Sequence, residues 1–106
     1  MKSRVNDHIV AVLDEVMPLM RDAFARENFN PVPGSALDQV GLLDGDRQVT
    51  DFVEHGEPEL ALDHLLYMIV EAELPISLAA SDHIMAAAEV LGVSSAKLAS
   101  IRRREG

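Results

Sequence analysis

The chain has 106 residues, 48% of them apolar, with 18 Asp and Glu against 9 Lys and Arg and a net charge of −9. That length supports one domain with a sizeable core and leaves too little chain for a second. An acidic balance argues against nucleic acid as a ligand, because phosphate neutralisation needs a basic face, and the lack of cysteine excludes disulfides, a thiol nucleophile and thiolate-held metal.

Val5, Ile9, Val12, Leu13, Val16, Met20, Ala23 and Phe24 recur at spacings of three and four, so the chain is expected to open with a long amphipathic helix capped by Ser3. Pro18 removes one backbone hydrogen bond and crowds the preceding turn; the apolar phase continues across it, which predicts a kink rather than a break. No apolar run approaches the roughly 18 residues of a membrane span. The run from Ile9 to Leu13 is also too short for a signal-peptide core.

Residues 28–46 are turn-rich, with Asn30-Pro31, Pro33-Gly34, Gly41 and Asp44-Gly45. A short helix capped by Ser35 and burying Leu37, Val40 and Leu43 is expected within them. Asp46 reads as the cap of another short helix, whose buried face is Val49, Phe52 and Val53 and whose end is Gly56. Pro58 suits the first turn of the next helix, which runs to about Leu74 before Pro75 stops it. Ala61, Leu62, Leu65, Met68, Ile69 and Ala72 share one broad face of it. Leu60, Leu66 and Val70 extend the apolar circumference, as expected of a helix central to its bundle. Ser77 reads as the cap of a helix that buries Leu78, Ile84, Ala87, Ala88 and Leu91 and stops at Gly92. Ser94 or Ser95 is expected to open a last helix, with Leu98 and Ile101 inward and Arg102 to Arg104 at the dipole-favoured end. Nothing alternates at strand spacing. The expected fold is all-α: a small bundle of five or six unequal helices forming one domain over 1–106, its long N-terminal helix kinked near Pro18.

Catalytic signals are weak. His8, His55, His64 and His83 each follow an acidic residue, but neighbours on a helix point about 100° apart, and no two histidines have the spacing of a helical metal pair. Gly34-Ser35 lacks the glycines of a nucleophile elbow. Acyl carrier proteins resemble the chain in size and charge, yet Ser81 precedes Asp82 and Ser35 follows Gly34, so no Asp-Ser-Leu attachment motif is present. No enzyme activity, cofactor or metal is expected.

The strongest signal is charge placement. Between Gln48 and Ala96 stand nine carboxylates and no Lys or Arg. Glu54, Glu57, Glu59, Asp63, Glu71 and Glu73 among them have no local cation to pair with, which leaves a negative field open to a basic protein. The alternative is the solvated side of an acidic domain.

Within this stretch the segment Asp51 to Val93, DFVEHGEPELALDHLLYMIVEAELPISLAASDHIMAAAEVLGV, carries His55-Gly56-Glu57, Ala61-Leu62 followed by Leu65, an acidic helix end, Pro75-Ile76-Ser77 and Leu91-Gly92. In the order and spacing of these pieces it resembles the MafI-type immunity proteins of bacterial polymorphic toxin systems. It departs from them after Ser77, where Leu78, Ala79 and Ala80 stand instead of charged residues, so no capping box can close at Ala80. The resemblance implies a cytoplasmic, non-enzymatic protein that binds and neutralises the C-terminal domain of a cognate toxin. A nuclease toxin with a basic cleft would suit the charge. The expected contact residues are Glu59, Asp63 and Tyr67 on one helix face, Glu54 and Glu57 at its entrance and Glu71 and Glu73 at its end. Against these stand plainer roles: Glu57 answering a helix dipole, His55 capping beside Gly56, and Tyr67 half-buried with a wet hydroxyl. The competing function is an acidic helical adaptor with a non-toxin partner, and a homodimer contact through Leu66 and Val70 is left open.

Overall fold

A computed structural model describes residues 4–35, 37–39 and 41–93. They form four helices: α1 (Arg4–Ala25), α2 (Gly45–Glu54), α3 (Pro58–Glu71) and α4 (Leu78–Leu91). The fold is all-α. The most extensive pairings are α1 with α4 and α2 with α3, and α1 also packs on α2 and α3. α1 thus makes most of the contact between the two pairs, with a smaller contact between α3 and α4.

The periodic stripe of α1 is buried as its spacing predicts: Val5, Ile9, Val12, Leu13, Val16, Met17, Met20, Ala23 and Phe24 all lie inside. The helix continues through Pro18, which sits on the exposed side where losing one ladder bond is least costly. α3 is as apolar as expected, with Ala61, Leu62, Leu65, Met68 and Ile69 all but sealed from solvent. Leu66 joins them at 6% exposure, whereas Leu60 is 45% exposed. Leu42, Val49, Ile76 and Ile84 complete the centre of the core.

Three expectations need correction. The short helix capped by Ser35 is absent among the described residues: 33–35, 37–39 and 41–44 include no helical residue, and the buried Ser35 hydroxyl has no hydrogen-bond partner. Leu37 and Leu42 instead anchor this loop to the core as separate plugs, while Leu43 is 40% exposed. Helix α2 also begins earlier than expected, with Asp44 rather than Asp46 at its N-cap position. Leu78, expected to pack inward, is 53% exposed. The described residues hold four helices; Ser3, Val40 and the expected helix after Ser94 lie outside them.

All four helices end in one motif, a 6→1 bond closed over a 5→2 bond around a left-handed residue. The 6→1 bonds run from Phe29 N–H to the Phe24 carbonyl, Glu57 to Phe52, Leu74 to Ile69 and Val93 to Ala88, at 2.8 to 3.0 Å. The left-handed residues are Asn28, Gly56, Glu73 and Gly92. Gly56 and Gly92 are legible from sequence. Glu73, at φ +53°, is not, because a side chain there opposes the backbone's preference.

The start of α4 is pinned to α1 by Glu15, which bonds Ser77. Further along the same antiparallel interface, His8 and His83 meet with Nδ1 atoms 2.7 Å apart and ring centroids 5.0 Å apart. One Nδ1 must donate and the other accept, so the two rings cannot both carry a proton at Nδ1.

Candidate protein-binding surface

The seven expected contact residues separate into three groups along α3. At its entrance, Glu54 closes α2, Glu57 occupies the N-cap position of α3 without a side-chain capping bond, and Glu59 lies in its first turn. All three are exposed. They crowd into one junction because the closing turn at Gly56 folds α2 directly into α3. The stretch from Gln48 to Val93 has no Lys or Arg, so its own charged side chains at the junction are acceptors. His55 does not extend the patch outward: its Nδ1 donates to the Asp51 carbonyl at 2.6 Å, capping the end of α2.

The second group, Asp63, Tyr67 and Glu71, follows the i, i+4, i+8 stripe that the spacing predicts. Each is half-buried, and the loop before α2 lies against this flank. Gln39 bridges it: its amide nitrogen donates to Glu71 Oε2 at 3.2 Å, and its Oε1 accepts from the Tyr67 hydroxyl at 3.4 Å. His64 stacks at 5.4 Å from the Tyr67 ring and donates through Nε2 to the Gly41 carbonyl at 2.9 Å. The loop approaches so closely that a Cβ on Gly41, at φ +84°, would sit 2.9 Å from His64 Cε1. Tyr67 is thus held in one orientation by neighbours on both sides, which lowers the entropy cost of using it as an anchor.

Glu73 stands apart, exposed at the left-handed end of the helix. Fourteen residues of helix span about 20 Å, so Glu57 and Glu73 mark opposite ends of an acidic edge rather than one spot. Exposed pairs with a partner's Lys or Arg contribute individually little, and an edge of this kind acts mainly through steering and register. Of the two residues considered for a homodimer contact, Leu66 belongs to the core and Val70 is half-buried.

Sequence reasoning missed Gln39, because only tertiary structure brings it to a helix that begins nineteen residues later. Among the described residues no three His, Asp or Glu side chains converge in a way that could hold a metal ion, and no helix is long and apolar enough to cross a membrane. The chain matches no protein-family model, no curated protein and no solved structure.

Proposed function

We propose that this chain is an immunity protein of the MafI type, a cytoplasmic domain that binds a cognate toxin's C-terminal domain and blocks it without catalysis. The observation that carries the reading is the exposed trio Glu54, Glu57 and Glu59 on a stretch with no Lys or Arg. A rigid, acceptor-only edge is suited to a basic protein surface, and least suited to nucleic acid or an anionic membrane. Toxin domains that act on nucleic acid need basic clefts, and a helix edge bearing spaced carboxylates can occupy such a cleft in place of phosphates. Tyr67, flanked by Asp63 and Glu71 and oriented by Gln39 and His64, supplies the one aromatic anchor. Glu73 extends the acidic edge at the far end. The order of helix stops and caps between Asp51 and Val93, which resembles the MafI pattern, gives the reading its second support.

The test is complex formation on gel filtration between the purified chain and a basic toxin domain encoded beside it. A one-to-one complex that weakens as salt rises is expected. No complex at low salt would shift the reading to an acidic adaptor with a different partner.

A further inference from the structure

We propose that the groove between α1 and α2 docks a cationic, apolar-faced helix of a partner protein. This surface is distinct from the acidic edge of α3, and the inference does not require that the partner be a toxin.

The groove is a hollow of about 380 Å³ walled by Asn6, Asp7, Val10, Ala11 and Asp14 of α1 and Val53 of α2. Positions 6, 10 and 14 stand one turn apart, so one wall is a single helical stripe. A second hollow of about 300 Å³ continues it toward Pro18 and Arg21, with Asp14 common to both. The result is a channel along two antiparallel helices, a shape that accepts a third helix.

Its apolar part is Val10, 45% exposed on the face of α1 away from the buried Ile9 and Val12. Its polar part consists of unmet acceptors. Asp7 and Asp14 are exposed at the wall, and no Lys or Arg stands among the described residues that line this hollow. Asn6 keeps a buried side-chain oxygen without a partner, an arrangement that is unfavourable until a donor meets it. Pro18 has no N–H to give the Asp14 carbonyl, which therefore misses its regular donor one turn up the wall. The cation of the continuing hollow, Arg21, lies at its far end, 3.7 Å from Asp46.

Charge complementarity selects the occupant. An arginine on a visiting helix lays its aliphatic stem over Val10 and its guanidinium against Asp7 or Asp14. A second copy of this chain, at net charge −9, brings carboxylates to carboxylates. A metal ion lacks its ligand set, since no three ligating side chains converge among the described residues. Thr50 lines the channel, and Glu54 follows it one turn along α2, so a docked helix would pass beside the acidic junction.

The test uses two fluorescent helical peptides with identical leucine stripes, one flanked by arginines and one by glutamates. Anisotropy reads binding to the wild-type chain and to Val10→Asp and Asp14→Lys, each checked by circular dichroism; amide chemical shifts locate the site. The arginine peptide is expected to bind, to shift amides from Asn6 to Asp14 and from Thr50 to Val53, and to lose at least about tenfold in affinity with either variant. The glutamate peptide should not bind. Wild-type affinity retained by both variants, no binding, or shifts confined to Glu57 through Glu73 would overturn the proposal and leave the acidic-edge reading standing. Self-association abolished by Val10→Asp would overturn it too, by identifying a second copy as the occupant.

Discussion

The Glu15 carboxylate accepts the backbone N–H of Ser77 at 2.8 Å and the Ser77 hydroxyl at 2.5 Å, joining α1 to the first residue of the α4 cap. Ser77 Oγ in turn accepts from the Ala80 N–H at 3.1 Å. A capping box needs Glu or Gln three positions after the cap to take the cap's own N–H, and Ala80 cannot do so. Glu15, from another helix, takes that N–H instead. The box is completed in tertiary structure, which gives a local capping motif responsibility for the largest helix–helix interface.

Glu15→Ala should therefore cost about 2–3 kcal/mol in urea denaturation, the range for losing hydrogen bonds to a charged group. Ser77→Ala should cost about 1–2 kcal/mol. The double variant should fall short of the sum, because both changes remove one network. Strict additivity would mean that the two residues stabilise α4 separately.

Glu73→Gly should stabilise the fold by about 1 kcal/mol, because a left-handed residue with a Cβ is strained where glycine is not. In a domain of this size that raises the melting temperature by several degrees, of order 4–8 °C. A lower melting temperature would mean that the Glu73 side chain makes compensating contacts. If the acidic edge binds as proposed, the same variant should also weaken partner capture, which would explain why a carboxylate occupies this position.

Gly41→Ala should destabilise by about 1–2 kcal/mol through its positive φ alone, and its Cβ would press on His64. Imidazole nitrogen shifts should report loss of the Nε2–H tautomer that the Gly41 carbonyl now holds. An unchanged His64 spectrum would mean that the loop shifts without releasing the ring.

Glu54→Lys, Glu57→Lys and Glu59→Lys should each stay within about 0.5 kcal/mol of the parent in stability, since all three side chains are exposed. Combined, they should leave the helical circular-dichroism spectrum intact and weaken partner binding more at low salt than at high salt. Equal weakening at both would point to lost packing rather than lost charge. Asp63 is less suited to this experiment, being half-buried on the flank that the loop covers.

Local periodicity made most of the helices legible. The stripe from Val5 to Phe24 and the broad face of α3 are buried as their spacing requires, and Ser77, Gly56 and Gly92 mark their helix ends. The loop is not legible because Leu37, Val40 and Leu43 have helical spacing, whereas Leu37 and Leu42 are the side chains that plug the core. Contacts between elements left no local trace: Glu15 and Ser77 lie 62 residues apart, His8 and His83 75. The same holds for the candidate site. The stripe Glu59, Asp63, Tyr67 follows from helix geometry, whereas the bridge from Gln39 to Tyr67 and Glu71 depends on how the loop folds back. The α1–α2 groove was invisible because its two walls lie far apart in the chain.

The most direct test of toxin neutralisation is growth of a sensitive bacterium expressing the toxin C-terminal domain encoded beside this chain, with and without co-expression of the chain. Rescue by the wild-type chain, lost with the combined Glu54→Lys, Glu57→Lys and Glu59→Lys variant, is the predicted result. Toxicity that persists with the soluble wild-type chain present would contradict the account.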